Sequence, residues 1–506
     1  MIKTLLVAHR DRERLREFLG IASRYGLGVL LARLGLERGS AAEGEAEDPR
    51  SLPRRTRLAL EALGPTFVKL GQILATRGDL LSPEWIAELE QLYSRAPTLP
   101  FEDLRSAVEE ALGQPPEAAF ASFDPQPLAA ASMAQVHRAT LPDGQAVVLK
   151  IRRPGIRPRM EADLRLIAQL ASVVEAASAE ARRFAPTAMM RQLTEAVLEE
   201  LDFTIEGRNA DRLRADFARN ARVVVPEIHW QWTSETLLVM EYIGGIPPRD
   251  GDALRAAGID PRAIADLGAD IVLDMVLVNG RFHGDPHPGN LLCLPGNRIA
   301  LLDLGMLGHV SPRRREEFIA FVQSLNGSDP AQLADVLAIW SAGSGVPRER
   351  VQAAAERLIA RHGGGRIVLS AMVADFLPLM RDEGMIMPPD LLLIFKALVT
   401  LDGVLSAIEP DFDLSEAMRR SSLRIARARL SPEHWGPTLQ ALAWELGKMG
   451  EDAPRLLRAA VRRLEAGPAE AASQAELVAA TRSAARWIAG AILAGSVLVA
   501  GAVVLS

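Results

Sequence analysis

The chain has 506 residues, of which 48% are hydrophobic, and this is enough for two or three separately packed units. Its 58 basic and 64 acidic residues give a net charge of −6, so we expect no nucleic-acid partner. The single cysteine, Cys293, cannot form an internal disulfide, and the sequence has no Cys/His array for structural zinc. These features predict a protein of a reducing compartment.

The first 125 residues predict an amphipathic helix, a linker and a helical extension. Charged residues from His9 to Arg12 interrupt the opening apolar run, so it lacks the continuous apolar core of a signal peptide. Residues 37–53 are acidic, small and turn-rich, which is typical of a linker. We therefore assign residues 1–50 to the amphipathic helix and acidic linker, and residues 51–125 to the extension.

One predicted helix of the extension has an unusual polar face. Its apolar face carries, at helical spacing, Leu63, Phe67, Leu70 and Leu74. Lys69 and Gln72 lie on the opposite face. A polar helix face is usually only solvated, but the whole chain has five lysines, so a lysine at this position calls for a functional explanation.

Short apolar segments in residues 126–245 predict a strand-rich lobe. The sequence PDG indicates the turn of a β-hairpin, and Lys150 lies on the second strand of that hairpin. Beyond this lobe, residues 246–430 are mostly helical, and residues 431–480 form a further helical region. A strand-rich lobe followed by a helical lobe is an α+β arrangement.

Helical periodicity also runs through residues 190–213 inside the strand-rich lobe. An apolar stripe from Leu193 to Leu201 indicates one continuous helix that carries both Glu200 and Glu206. At about 100° per residue, these two glutamates lie roughly 240° apart around such a helix. We therefore expect them to serve different partners.

Residues 487–506 contain no charged side chain. At ~1.5 Å per residue they would span about 30 Å, the thickness of the hydrocarbon core of a bilayer. Arg482 and Arg486 precede the segment, and the positive-inside bias then places the bulk of the protein in the cytoplasm. We predict a single C-terminal transmembrane anchor, with a buried terminal helix as the alternative. Small residues from Gly490 to Gly495 leave open a homodimer through this span.

The loop RFHGDPHPGN, which begins at Arg281, concentrates polar and turn-forming residues between apolar segments. One reading is a metal site in which His283, Asp285 and His287 alternate, although the prolines and glycines oppose regular extension. A second reading is a structural turn. The third, which we favour, is a phosphotransfer loop: Asp285 faces the nucleophile, and Asn290 follows at the D-x-x-x-x-N spacing of kinase catalytic loops.

A phosphotransfer loop requires further groups elsewhere in the chain. The sequence DLG supplies Asp303 as a second metal ligand beside Asn290, which would allow Mg²⁺ to bridge the phosphates of ATP. Lys150 in VVLK is the expected strand lysine for the phosphates, and Glu206 is the expected helical partner of that lysine. Each match to the kinase pattern is weak evidence when taken alone, but the complete set of matches in the required order is strong evidence for a phosphotransfer site.

The motifs AAASMAQVH, KLGQ, ELDFTIEGRN, FHGDPHPGN and DLG together resemble the UbiB family of atypical kinase-like proteins, which supports the synthesis of coenzyme Q and other isoprenoid quinones. The resemblance covers roughly residues 56–413. It implies an atypical, bilobal, protein-kinase-like fold with an N-terminal helical extension, and it implies ATP and Mg²⁺ as cofactors.

The resemblance carries the roles of the family onto individual residues. The catalytic set comprises Asp285, Lys150 and Glu206, and the metal ligands are Asn290 and Asp303. The regulatory set of the extension is Lys69, Gln72, Glu200 and Asp202; we expect Glu200 and Asp202 to hold Lys69 and to pin its helix across the active site. The nucleotide loop and its flanks are Leu128, Ala129, Ala130, Ala131, Ser132, Met133, Ala134, Gln135 and Val136, with Met133 where the family more often has isoleucine.

The nucleotide loop also sets the chain apart from ordinary protein kinases. Glycine-rich loops approach phosphates closely because glycine reaches positive φ, which alanine does not adopt freely. We therefore expect a nucleotide to sit differently here, and ADP to be held tightly.

Three functions are consistent with these features. The favoured one is a membrane-anchored kinase-like ATPase that acts on isoprenoid quinone precursors, with membrane lipid and other quinone-biosynthesis enzymes as partners. A small-molecule kinase of the aminoglycoside or choline kinase type shares the HGDPHPGN pattern but has no obvious counterpart to KLGQ. A nucleotide-binding scaffold is the non-enzymatic alternative.

Overall fold

The computed structural model describes residues 12–26, 51–75, 77, 81–92, 97–177, 185–284, 286–363, 369–413, 416–417 and 420. The predicted anchor, the predicted region 431–480 and Asp285 lie outside these residues. The helices are α1 (Arg12–Arg24), α2 (Ser51–Leu63), α3 (Pro65–Ala75), α4 (Pro83–Leu89), α5 (Phe101–Leu112), α6 (Pro116–Ala119), α7 (Ile156–Ala177), α8 (Pro186–Glu200), α9 (Phe203–Asp216), α10 (Gly251–Ala256), α11 (Pro261–Asp274), α12 (Pro312–Asn326), α13 (Pro330–Trp340), α14 (Arg348–His362), α15 (Leu369–Asp382) and α16 (Pro389–Ile408). The strands are β1 (Ser122–Ala130), β2 (Ala134–Thr140), β3 (Ala146–Arg152), β4 (Val223–Val224), β5 (Leu237–Glu241), β6 (Arg281–His283), β7 (Leu291–Leu294), β8 (Arg298–Leu301) and β9 (Leu307–His309).

A four-stranded antiparallel sheet in the order β1-β2-β3-β5 forms the strand-rich lobe, and the predicted hairpin is its β2-β3 pair. Alternation along β3 buries Val147, Leu149 and Ile151 against a layer that includes α5. Lys150 therefore projects from the opposite face of the strand. In the sheet it is paired with Val136 on β2 and Leu238 on β5, which fixes its position between two neighbouring strands.

The extension is a separate helical cluster with its own apolar core. Helices α1 to α4 pack with α7 and α8, the two long helices that lie between β3 and α9. A buried ion pair ties the N-terminal helix into this cluster, because Arg14 Nε lies 2.5 Å from Oδ1 of the fully buried Asp163. Thr66 Oγ1 donates to the other oxygen of Asp163 at 2.9 Å. The apolar side of α1, including the buried Ile21, is thus covered by protein.

The glycine of the KLGQ motif lets α3 pack closely against its neighbours. A Cβ at Gly71 would lie 2.2 Å from Leu92 Cδ1 and 3.0 Å from Leu60 Cδ1. We expect Gly71→Ala to lower the free energy of unfolding by about 1–3 kcal/mol, because overpacking forces neighbouring side chains away. Gly403→Ala is the matched control: this exposed helical glycine has no atom near its Cβ position, so the change should raise stability by about 0.5–1 kcal/mol. Urea denaturation measures the free energy of unfolding of both variants. Equal changes for Gly71→Ala and Gly403→Ala would contradict the close packing of Gly71.

The segment predicted as one continuous helix consists of two helices. Helix α8 ends at Glu200, and α9 begins after Asp202, which caps it by accepting hydrogen bonds from Thr204 N at 2.9 Å and from Thr204 Oγ1 at 2.7 Å. The prediction of one continuous helix through Glu200 and Glu206 was therefore wrong. An N-cap aspartate with an extended backbone interrupts the helix between them.

The helical lobe comprises α10 to α16 with two small sheets, ordered β4-β8-β7 and β6-β9. Several of its helices begin with a capping residue followed by proline, such as Asp260-Pro261 and Asp329-Pro330. Its core contains an aromatic cluster around Phe321, whose ring centroid lies 5.0 Å from that of Trp340. Together with the strand-rich lobe, this confirms the predicted α+β bilobal arrangement.

Helix α16 is the only helix within the described ranges that is long and apolar enough to cross a membrane. In its apolar window, Asp390–Ile408, 56% of the residues are buried in the protein. Buried core helices have the same length and composition. The helix is therefore weak evidence for membrane insertion.

Candidate active site

Three charged side chains meet between the strand-rich lobe and the loop after β8. Lys150 Nζ lies 2.8 Å from Glu206 Oε2 and 3.1 Å from Glu206 Oε1. The same nitrogen lies 3.2 Å from Asp303 Oδ1. The structure thus brings together three predicted site residues that are distant in sequence. The side chain of Glu206 is almost fully buried, whereas that of Asp303 is 52% exposed, and we call the solvent-accessible space beside Asp303 the cleft.

The mutual charges of this triad determine its protonation. Burial disfavours the charged form of Lys150, but the carboxylates of Asp303 and Glu206 outweigh this effect and raise the pKa of the ammonium. The Lys150 ammonium lowers the pKa of Asp303 to about 2. Burial raises the pKa of Glu206 to about 7, against the opposing effect of Lys150. Near neutral pH the triad therefore presents a cationic lysine and an ionised Asp303 to the cleft.

The backbone around Asp303 is held in an uncommon conformation. Asp303 has φ of +50°, in the left-handed region that non-glycine residues seldom adopt. The carbonyl before it, of Leu302, contacts His283 Nε2 at 3.1 Å, and the carbonyl after it, of Leu304, accepts a hydrogen bond from Asn209 Nδ2 at 3.0 Å. Sequence reasoning missed Asn209, although it lies one helical turn after Glu206 on the same helix.

Asn290 is next to this loop, because its carbonyl accepts a hydrogen bond from Leu302 N at 2.8 Å. An ionised carboxylate from Asp303 and an amide oxygen from Asn290 are hard oxygen donors, which suit Mg²⁺ when substrate phosphates complete its coordination. This donor chemistry fits the predicted metal. No group of three or more His, Cys, Asp or Glu side chains arranged to hold a metal ion occurs in the part of the chain that the structure describes.

The alanine-rich nucleotide loop differs in geometry from a glycine-rich one. None of Ala129, Ala130 and Ala131 adopts a positive φ. At the far end of the loop, Met133 packs into the core of the extension, and Gln135 exchanges hydrogen bonds with the backbone of Leu99.

Ala134 is also buried, in the core of the helical lobe. The side chains of Met133, Ala134 and Gln135 are therefore used in protein contacts, and any contact between these residues and a nucleotide would involve their backbone. Leu128, at 55% exposure, is the most exposed large apolar side chain of the loop region.

Arg153 anchors the alanine-rich loop and was not predicted from the sequence. Its Nε donates to the carbonyl of Ala131 at 3.0 Å, and its Nη2 donates to the carbonyl of Pro97 at 2.7 Å. Its backbone N–H also donates to the Met133 carbonyl at 2.9 Å. One arginine thus fixes the loop to β3 and to the segment that precedes α5.

An ion pair joins the KLGQ helix to the end of α8. Lys69 Nζ lies 2.7 Å from Glu200 Oε2, and the Lys69 charge contributes to the lowered pKa of Asp303. Gln72 Nε2 donates to the Leu92 carbonyl within the extension at 3.1 Å. Among the contacts of the described residues, Asp202 caps α9 and forms no ion pair with Lys69.

A second tie joins α9 to the strand that enters the RFHGDPHPGN loop. Arg281 of β6 forms a bidentate pair with Asp216 at the end of α9, with Nη2–Oδ1 and Nε–Oδ2 distances of 2.6 and 3.1 Å. The chain reaches β6 through a π-helical turn, Met275–Asn279, which ends at Gly280 with φ of +66°. Irregular helical turns of this kind are frequent at functional sites.

Comparisons with known proteins identify the family of this chain. The family model of the ABC1 atypical kinase-like domain matches residues 91–337, and that of the UbiB helical domain matches residues 363–413. A solved structure from Mycobacterium tuberculosis, described as a complex with erythromycin, is 21% identical with a TM-score of 0.48, covering 70% of this chain and 86% of that chain.

Two curated relatives are named probable protein kinase UbiB. The one from Marinobacter nauticus is 35% identical over 463 residues, which cover 88% of this chain and 84% of the relative. The one from Xylella fastidiosa is 34% identical over 419 residues, which cover 81% of this chain and 76% of the relative. The resemblance found in the motifs is confirmed: this chain belongs to the UbiB family of atypical kinase-like proteins.

Proposed function

We propose that this protein is an ATP-binding, Mg²⁺-dependent atypical kinase or ATPase that supports the synthesis of ubiquinone or a related isoprenoid quinone. The observation that carries the proposal is the triad of Lys150, Glu206 and Asp303 at 2.8–3.2 Å. A lysine held by a helical glutamate and directed at a metal-binding aspartate is the arrangement that kinases use to hold triphosphates.

Each group of the site has a separate task in this proposal. Lys150 binds the phosphates, and Glu206 keeps its ammonium in place. Asp303 and Asn290 would hold Mg²⁺, and the bound ion would supply positive charge against the charge that develops on the phosphates. Asp285, assigned from its motif, orients the attacking water or hydroxyl group.

The extension controls access to the cleft in this proposal. The Lys69–Glu200 pair lies close enough to the triad for the charge of Lys69 to affect Asp303. Arg381 of α15 donates to the Leu81 carbonyl of the extension at 3.3 Å, which links the extension to the helical lobe. Such a cover opposes docking of a bulky peptide and favours a small or apolar acceptor that approaches from a membrane.

Membrane lipid, quinone precursors and other quinone-biosynthesis enzymes remain the predicted partners, and residues 487–506 the predicted anchor. A small-molecule kinase remains less favoured, because kinases of that type have no obvious counterpart to the KLGQ helix.

We expect purified full-length protein to hydrolyse ATP with Mg²⁺, and liposomes with a prenylated phenol to increase the rate several-fold. An apolar acceptor would be delivered at the membrane surface, where the anchor would hold the protein. Phosphate release is measured with and without liposomes, with and without the prenylated phenol, and with the non-prenylated phenol as the control. Mg²⁺-dependent nucleotide binding without turnover under all conditions would contradict the enzymatic proposal and favour a scaffold.

A further inference from the structure

Helix α9 is attached to the helical lobe along one side. At about 100° per residue, Glu206, Asn209 and Asp216 lie within about 80° of one another around the helix. Glu206 binds Lys150 beside Asp303, Asn209 donates to the Leu304 carbonyl, and Asp216 pairs with Arg281. These contacts are distributed along the helix from its first turn to its last.

Packing strengthens this attachment. Ala210 and Leu213 on α9, and Phe217 directly after it, are buried in the same apolar cluster as the core of the helical lobe. In many kinases the equivalent glutamate is controlled by movement of its helix. Here such a movement would expose buried apolar residues and break Asn209–Leu304 and Asp216–Arg281 together.

We propose that Asn209 is a positioning residue for the metal-binding loop. Its amide donates to the Leu304 carbonyl while His283 contacts the Leu302 carbonyl, so the carbonyl groups of the residues before and after Asp303 are both held. Asp303 has a left-handed backbone, which persists only when its surroundings enforce it. Asn209 thereby keeps the Asp303 carboxylate directed at the cleft.

The inference concerns Mg²⁺ binding in particular and rests on the proposed function. Asn209 is 9% exposed and lies behind the loop, so it acts on the metal ligand through the backbone. Its loss would leave the buried Leu304 carbonyl without its donor and allow the loop to relax. Lys150 and Glu206 would remain paired, so binding of a nucleotide without metal would be preserved.

The test measures, by calorimetry, how binding of a non-hydrolysable ATP analogue depends on the Mg²⁺ concentration. The measured quantity, called the Mg²⁺ response, is the Mg²⁺ concentration at half-saturation. We expect Asn209→Leu and the smaller Asn209→Ser to raise the Mg²⁺ concentration at half-saturation about five- to tenfold, as loss of one hydrogen bond implies. Affinity for the analogue in the presence of a chelator should stay within about twofold for both variants. Asn209→Gln, which keeps an amide donor, should recover part of the Mg²⁺ response.

Leu213→Ala is the structural control, because it removes buried apolar contacts from the same helix and leaves the Asn209–Leu304 hydrogen bond in place. It should lower thermal stability and leave the Mg²⁺ response unchanged. Equal Mg²⁺ responses in Asn209→Leu, Asn209→Ser and the wild type, or an equal shift in Leu213→Ala, would overturn the assignment. A wild-type protein whose nucleotide binding ignores Mg²⁺ would instead contradict the proposed function.

Discussion

Replacing Asp303 by asparagine is expected to lower Mg²⁺-dependent ATP turnover by about 10²- to 10³-fold, because a metal ion supplies several kcal/mol of charge stabilisation and each 1.36 kcal/mol is tenfold in rate. Asparagine keeps the shape of the side chain and tolerates the left-handed backbone seen at φ of +50°. The substitution therefore removes mainly the negative charge that lies 3.2 Å from Lys150 and would face the metal.

Turnover and Mg²⁺-dependent affinity for nucleotide are measured together for Asp303→Asn. The control is Asp252→Asn, an exposed aspartate at the start of α10 whose partner is a surface arginine. This control should be indistinguishable from the wild type. If Asp303→Asn retained both turnover and Mg²⁺-dependent binding at the wild-type level, Asp303 would have no role as a metal ligand.

Replacing Lys150 by methionine is expected to destabilise the folded protein by about 3–5 kcal/mol at pH 8, which is the cost of breaking a buried ion pair from one side. Glu206 is almost fully buried and would lose the ammonium that lies 2.8 Å away. Loss of the ammonium would destabilise the ionised form of Asp303 less, because its exposed carboxylate can be hydrated. Nucleotide binding should also weaken, since no cation would remain at this position.

The loss of folding stability caused by Lys150→Met should depend on pH. In the wild type the pKa of Glu206 is about 7 in the folded state, against about 4.3 in an unfolded chain. The folded state therefore holds this proton more tightly, and stability from Glu206 is lost as the pH rises through 7. Without Lys150 the pKa of Glu206 rises further, so the cost of the substitution should be smaller at pH 5.5 than at pH 8.

Urea denaturation of Lys150→Met and of Lys150→Met/Glu206→Leu measures this coupling. The double variant should recover much of the lost stability at pH 8, because it no longer buries an unpaired carboxylate. A double variant as unstable as the single one would show that the ion pair is not the source of the loss. An equal cost at both pH values would contradict the protonation of Glu206.

The sequence predicted the parts of the fold that local patterns determine. Alternation predicts which face of β3 carries Lys150, and the D-x-x-x-x-N and DLG motifs predict Asn290 and Asp303, whose loops lie next to each other in the structure. The break between α8 and α9 was not predictable from periodicity. The apolar stripe continues to Leu201, and only the extended backbone of Asp202 shows that the helix stops there.

Residues that act through the backbone were also missed. Arg153 and Asn209 donate to carbonyl groups, which any residue can provide, so no side-chain pattern marks their partners in the sequence. The pair of Asp216 and Arg281 spans 65 positions and depends on how α9 crosses the helical lobe. Such contacts follow from the tertiary arrangement, which the motifs alone do not specify.

The central claim is that Lys150, Glu206, Asn290 and Asp303 surround a single nucleotide and its divalent ion. A crystal structure with a non-hydrolysable ATP analogue and Mn²⁺ in place of Mg²⁺ tests it most directly, because Mn²⁺ is located by its anomalous signal. The account predicts an anomalous peak at bonding distance from oxygens of Asp303 and Asn290, with the phosphates beside Lys150. An analogue bound elsewhere, or an Mn²⁺ peak away from these two side chains, would contradict it.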